Sequence, residues 1–87
     1  MTERIITIHH AVGLHARPAS IFVQEAVKFA SEITVTYGEL TTNAKSILGI
    51  LSLGVQQGAE IKIAANGEDA EQAVAALVAL IENNFGE

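Results

Sequence analysis

The sequence contains no cysteine, no tryptophan and only one proline. Without cysteine the chain has neither disulfide bonds nor thiolate metal sites, which is consistent with a reducing cytoplasm. Its longest apolar run, residues 73–81, is too short for a bilayer, which takes about 20 residues, and we recognise no secretory signal pattern. We therefore expect a cytoplasmic protein without membrane insertion. Because 49% of the 87 residues are hydrophobic, we predict one packed domain over residues 1–87.

Positive charge is also scarce, because five Lys and Arg oppose ten Asp and Glu, for a net charge of -5. This balance argues against a nucleic-acid partner, since non-specific binding of nucleic acids depends on Lys and Arg contacts to phosphates. The acidic residues are unevenly placed, and none occurs in residues 4–24 or 40–59. If these two windows fold together, they form one acid-free face suited to phosphate or to an acidic partner. A chance gap in a short sequence is the alternative. The windows hold His15, Arg17, Lys45 and Ser46.

The spacing of apolar residues predicts seven elements. Their order is a strand at 4–8, a helix from 16 to 29 or 30, strands at 31–37 and 40–43, a short helix at 47–53, a strand at 60–65 and a helix from 70 to 81. The glycine of Gly38-Glu39 predicts a type II′ turn between the second and third strands. This order favours an α+β fold in two layers, an antiparallel sheet with helices on one face.

Each long helix has a predicted buried stripe. In the first helix the stripe comprises Ala16, Ala19, Val23, Ala26, Val27 and Ala30. In the last helix it comprises Ala70, Ala73, Val74, Leu77, Val78 and Ile81. Asp69 and Gln72 have the spacing of a capping box at the start of the last helix.

The first long helix has an unusual start. His15 stands at the N-cap, where Ser, Thr, Asp or Asn is usual and where their loss costs about 1 kcal/mol. Arg17 adds a cation at the positive end of the helix dipole, unfavourable by roughly 0.3–1 kcal/mol. The first amides of a helix lack internal partners and bind anions. We predict a phosphate bonded to the His15 ring and held by Ala16 and Arg17, the alternative being a structural histidine.

Two other histidines and one short helix need separate interpretation. His9 and His10 point to opposite faces of a strand, and no carboxylate or cysteine completes a ligand set, so we predict no metal and no cofactor. Ser46 is an N-cap by residue type. The helix after it is apolar nearly all round, and some of Ile47, Leu48 and Leu51 should be exposed for partner docking. For Ile50, burial in the core is an equal alternative.

Two segments of the sequence resemble motifs of the HPr family, the small histidine-containing phosphocarriers of the bacterial sugar phosphotransferase system. The first is Gly13-Leu14-His15-Ala16-Arg17-Pro18-Ala19, which resembles the phosphorylation motif. The second is Lys45-Ser46-Ile47-Leu48-Gly49-Ile50-Leu51-Ser52-Leu53-Gly54, which resembles the regulatory serine segment. The resemblance covers essentially the whole chain. It implies an open-faced β-sandwich with strand order first, fourth, second, third and with all three helices on the same side.

The resemblance also implies a function for the site residues. Phosphorylated enzyme I would pass a phosphoryl group, ultimately from phosphoenolpyruvate, to Nδ1 of His15, and IIA components of sugar transporters would accept it. HPr kinase/phosphorylase would phosphorylate Ser46, and a catabolite repressor would bind that form. Two residues depart from the family pattern. Val12 stands where many members have Asn or Ser able to hydrogen-bond near the phosphohistidine, and Leu48 stands where many have Met.

Several functions compete with a sugar phosphocarrier. A nitrogen-branch HPr paralogue would use the same chemistry with a different enzyme I. A regulatory adaptor would act by protein binding alone, although it would have no reason to keep the costly residues His15 and Arg17. An independent hydrolase is disfavoured, because no second acid or base lies near the motif and little chain is left to enclose a pocket. We expect a phosphoryl carrier rather than a stand-alone enzyme.

Overall fold

Four strands and three helices account for most of the computed structural model, which describes residues 1–86. They are β1 (Thr2–Thr7), α1 (Ala16–Ala26), β2 (Glu32–Tyr37), β3 (Leu40–Asn43), α2 (Ile47–Ser52), β4 (Glu60–Asn66) and α3 (Ala70–Glu82), followed by a 3₁₀ turn at Asn84–Gly86. The predicted type and order of the seven elements is confirmed. The last residue of the predicted 1–87 domain lies outside the described residues.

The strands form one antiparallel sheet in the order β1-β4-β2-β3, as the family resemblance implied. Its inner face is β-branched: Ile33, Val35, Ile61 and Ile63 are buried against the helices, which all pack on this side. Alternate residues point to the open face, where Ile5 pairs with Lys62 and Lys62 pairs with Thr36. The predicted α+β fold, an open-faced sandwich, is confirmed.

Helix α1 differs from its prediction in both length and buried face. Its buried residues are Pro18, Ala19, Phe22 and Ala26. The predicted Val23 is only half-buried and Val27 is 54% exposed, because the bulky Phe22 faces the core and turns its neighbours away. The helix ends at Ala26 rather than at residue 29 or 30. Beyond it the amides of Lys28 and Phe29 bond three residues back, to the Glu25 and Ala26 carbonyls, so the last turn tightens.

The start of α3 shows a second difference. The six predicted stripe residues of α3 are all buried. The predicted capping box is wrong, because the Asp69 side chain accepts no hydrogen bond from the amides of its own helix. Its carboxylate accepts instead from the Ser31 hydroxyl and from the amides of Ala30 (2.8 Å) and Ser31 (2.9 Å). Asp69 thus fastens the start of α3 to the segment between α1 and β2. These hydrogen bonds, that of the Ser31 hydroxyl first, lower the pKa of Asp69.

We expect Asp69→Asn to lower the free energy of unfolding at neutral pH and to weaken its acid dependence. A carboxyl with a lowered native pKa stabilises the fold fully above its unfolded-state pKa, about 3.9, and this stabilisation is lost as pH falls through the native value. Urea unfolding measured between about pH 7 and pH 2 should therefore show wild type and variant converging in acid. Glu68→Gln, at the exposed neighbouring carboxylate, is the matched control. A gap between wild type and Asp69→Asn that stays constant with pH would contradict the assignment.

Candidate functional site

His15 is the N-cap residue of α1, as predicted. Its backbone is extended (φ -129°, ψ 163°), and its side chain makes no capping hydrogen bond to the helix amides. The first intrahelical bond runs from the Ala19 amide to the His15 carbonyl, at 3.4 Å. The ring is half-exposed at the positive end of the helix dipole. The geometry therefore presents an imidazole at a helix N-terminus without using it as a cap.

The residues after His15 make a sharp entry into α1. Ala16 is exposed and has a left-handed backbone with φ of +49°, a conformation that costs a residue with a Cβ roughly 1–2 kcal/mol. Arg17 follows, exposed in the first turn, and Pro18 is buried. The amides of Ala16 and Arg17 precede the first intrahelical hydrogen bond, and Pro18 has none to offer. Strain of this kind persists only where the surroundings enforce it, and it concentrates at functional sites.

The segment before His15 is fixed by contacts with residues 55 and 56. Leu14 is fully buried, and its amide donates to the Val55 carbonyl at 3.0 Å. Gly13 has φ of +75°, and a Cβ at this position would lie 2.3 Å from the Val55 oxygen and 2.8 Å from Cα of Gln56. Only glycine allows the two backbones to approach so closely. Residues 55 and 56 thus hold in place the support of His15, which is the backbone of Gly13 and Leu14.

The two acid-free windows do meet at this support. Besides the Leu14 contact, the Gln57 side-chain amide donates to the His9 carbonyl (3.1 Å), and the Gly58 amide donates to the Ile8 carbonyl (2.7 Å). Sequence analysis missed this role of residues 55–58, because no pattern along the chain signals a contact between distant loops. The lone clue was Gly13, which predicts a special backbone but not its partner.

Lys45 is not beside His15, although both belong to the acid-free windows. Its ammonium donates to the Phe29 carbonyl at 2.6 Å, beyond the C-terminal end of α1. Because α1 has eleven residues, the two ends lie about 16 Å apart. The lysine therefore satisfies a carbonyl at the end of the helix. A shallow cavity lined by Ser31, Thr42 and Lys45 lies at the same end, away from the histidine.

Ser46 begins α2 as predicted. Its hydroxyl oxygen accepts from the Gly49 amide at 3.1 Å, which is an N-cap hydrogen bond. Of the apolar residues that follow, Leu48 is 77% exposed, Ile47 and Leu51 are exposed in part, and Ile50 is fully buried. The predicted exposure is confirmed, and Ile50 belongs to the core. Sequence analysis missed Gly49, where a Cβ would collide with the Thr42 hydroxyl of β3.

Among residues 1–86 no group of three His, Cys, Asp or Glu side chains is placed to hold a metal ion. Within the same residues no helix combines the length and the apolar character needed to cross a membrane.

Comparison with known proteins gives the family. The family model described as the PTS HPr component phosphorylation site matches residues 2–83. The chain belongs to the HPr family. The phosphocarrier protein HPr of Haemophilus influenzae is 48% identical over 81 residues, which are 93% of this chain and 95% of that protein. The HPr-like protein Crh of Halalkalibacterium halodurans is 43% identical over 82 residues, 94% of this chain and 98% of that protein.

A solved structure agrees with this assignment. The crystal structure of HPr-C-His from Thermoanaerobacter tengcongensis matches with a TM-score of 0.98 at 55% identity, covering 100% of this chain and 98% of that chain. Membership of the HPr family of the phosphotransferase system implies partners from that system in general.

We expect Gly13→Ala to destabilise this HPr-family protein more than Gly54→Ala does. Both glycines have positive φ, so alanine at either position pays roughly 1–2 kcal/mol of backbone strain. At Gly54 the new methyl meets nothing within 4 Å, whereas at Gly13 it meets the Val55 carbonyl. We expect the excess loss at Gly13 to be at least about 1 kcal/mol, since residues 13 and 55 must separate. Urea unfolding of both variants measures it, and equal losses would contradict the tight contact.

Proposed function

We propose that this chain accepts a phosphoryl group on His15 from phosphorylated enzyme I and passes it to IIA components of sugar transporters, acting in the cytoplasm as one domain. The observation that carries the proposal is the half-exposed His15 ring, which stands at the N-terminus of α1 without capping it. Arg17 in the first turn and the membership of the HPr family support it. No cofactor enters the reaction.

The proposed chemistry uses the ring nitrogen as a nucleophile. The lone pair of Nδ1 attacks phosphorus, so that an N–P bond forms while the bond between phosphorus and the donor breaks. Negative charge spreads over the three equatorial oxygens in the transition state. The first-turn amides of α1 and the Arg17 guanidinium are the groups we assign to stabilise that charge, Ala16 contributing its amide. The reverse attack by an acceptor releases the phosphoryl group, so His15 acts as a carrier and no group is hydrolysed.

Labelling with phosphoenolpyruvate and enzyme I tests this proposal. We expect the wild-type protein to acquire one acid-labile, base-stable phosphoryl group, as a phosphohistidine would, and His15→Ala to acquire none. His9→Ala removes an exposed histidine from the same segment and is the matched control, which should label like wild type. Intact-mass measurement before and after mild acid treatment gives the readout.

Other labelling results would count against the carrier. An acid-labile label that persists in His15→Ala would move the site elsewhere, and wild type that no enzyme I labels would favour a regulatory adaptor acting by binding alone. Labelling only by the enzyme I of the nitrogen branch would assign the chain to that paralogous system.

We further propose that Ser46 is a regulatory phosphorylation site for HPr kinase/phosphorylase. A phosphate on its oxygen adds about -1.5 to -2 charge at neutral pH. That charge would stand beside exposed Leu48, Ile47 and Leu51, which we assign to partner docking. An apolar interface with enzyme I would be weakened there, whereas a catabolite repressor with a basic surface would gain a contact.

The matched variants Ser46→Asp and Ser46→Ala separate charge from capping. Alanine removes the acceptor for the Gly49 amide and should lower the free energy of unfolding by about 1 kcal/mol. Aspartate keeps an acceptor and adds charge, so its stability should stay near that of wild type while phosphoryl transfer from enzyme I slows. Urea unfolding and initial rates of His15 labelling measure the two effects. Transfer to Ser46→Asp as fast as to Ser46→Ala would contradict a regulatory role for the charge.

A further inference from the structure

His10 is a buried histidine five residues before His15, with 8% of its surface exposed. It begins the turn that leads from β1 to the phosphorylation motif. Its ring atom Nδ1 accepts a hydrogen bond from the Val12 amide at 3.1 Å, and its carbonyl accepts one from the Gly13 amide at 2.9 Å. Two successive amides of the turn therefore end on one residue. Since a ring nitrogen that accepts a hydrogen bond carries no proton, the ring proton is on Nε2.

The C-terminal turn holds the His10 ring in this orientation. The rings of His10 and Phe85 meet edge to face, with centroids 5.7 Å apart and planes at 74°. Phe85 is itself buried, and it and Asn84 both have left-handed backbones, with φ of +57° and +56°. A left-handed backbone costs a bulky residue such as Phe85 roughly 1–2 kcal/mol, so packing of the Phe85 side chain must offset that cost. The contact with Phe85 thus restrains the His10 ring in addition to the hydrogen bond from Val12.

The path from His10 to His15 is short and fixed at each step. His10 sets Val12 and Gly13, Gly13 lies against the Val55 carbonyl, and the next amide, that of Leu14, bonds to the same carbonyl. A shift of the turn would therefore move the backbone from which the His15 ring projects. Misplacing a reacting group by about 1 Å can cost as much as a hundredfold in rate.

We propose that His10 is a positioning residue for phosphoryl transfer at His15, acting through the hydrogen bond that its Nδ1 accepts from Val12. The proposal rests on the proposed function of His15 as a phosphocarrier. Sequence analysis considered His10 only as a metal ligand. The side chain of Val12 offers no hydrogen bond, and its amide ties the turn to the ring of His10.

The matched variants His10→Asn and His10→Gln test the acceptor. Both substitutions remove the aromatic contact with Phe85, and both introduce a side-chain amide. Asparagine carries its amide oxygen at the δ position, where Nδ1 of histidine lies, whereas glutamine carries it one bond further out. We expect enzyme I to phosphorylate His10→Asn about tenfold faster than His10→Gln when the variant protein is saturating. The KM of enzyme I for the two variants should be similar, because the surface that docks is unchanged. Urea unfolding of the pair checks that their stabilities match.

Two NMR readouts on the unphosphorylated protein separate this proposal from the carrier function. In wild type the long-range proton–nitrogen spectrum of His10 should show an unprotonated Nδ1 and a protonated Nε2. The amide resonances of Val12 and His15 should move further from their wild-type positions in His10→Gln than in His10→Asn, and equal displacements would contradict the role of the acceptor.

Each failure has its own meaning. A proton on Nδ1, or equal labelling rates for the two variants when wild type is labelled on His15, would overturn the positioning role. Absence of any label on wild-type His15 would overturn the carrier proposal, and the positioning role with it.

Discussion

The structure of the site depends on the contact between the backbone at Gly13–Leu14 and the carbonyl of Val55. This contact joins two segments that are some forty residues apart in the chain. It holds the loop between β1 and α1 against the loop between α2 and β4. It requires a residue without a side chain, because a Cβ at Gly13 would lie well inside the van der Waals distance of the Val55 oxygen. With the preceding residues held there, His15 needs no contact of its own to be placed at the start of α1.

Several local choices around His15 reduce stability, which is expected where function competes with folding. Histidine replaces a better cap, Ala16 has a left-handed backbone and Arg17 faces the positive end of the dipole. Together these cost a few kcal/mol by order of magnitude. The compensation lies in the adjoining core, where Leu14, Ala19 and Phe22 are fully buried. The strained turn is therefore fixed between buried residues on both sides.

Prediction from sequence succeeded where a feature depends on residues that are close together in the chain, and it failed where the contact joins distant residues. The stripe of α3 and the Ser46 cap were predicted correctly, because both depend on residues within a few positions of one another. Asp69 was assigned wrongly for a related reason, since its spacing to Gln72 fits a capping box although the carboxylate turns to amides 38 and 39 positions away. The features of the site also divide into those set by neighbouring residues, which were predicted, and those set by distant residues, which were not.

The predictions of where α1 ends and of where Lys45 lies were wrong for the same reason. The apolar spacing continues past Ala26, but the chain tightens there, and Lys45 from a distant segment satisfies the Phe29 carbonyl. Within the site, His15 and Arg17 could be located by their odd position at a helix start. Their supports, Val55 and His10, could not, because each acts through a backbone group or a ring nitrogen that no residue spacing reveals.

The N-caps of α1 and α2 differ in a way that bears on the two proposed phosphorylation sites. The His15 side chain bonds to no helix amide, so adding a phosphoryl group to the ring breaks no existing cap, and its removal leaves α1 as before. The Ser46 oxygen already accepts the Gly49 amide, and α2 has only six residues. A phosphate proposed for that oxygen would have to take over the cap, which its own oxygens and the helix dipole would favour. On the proposed assignments, a phosphate at Ser46 would become part of the cap of α2, whereas a phosphoryl group at His15 would leave without disturbing α1, which fits a stored signal in one case and a relay in the other.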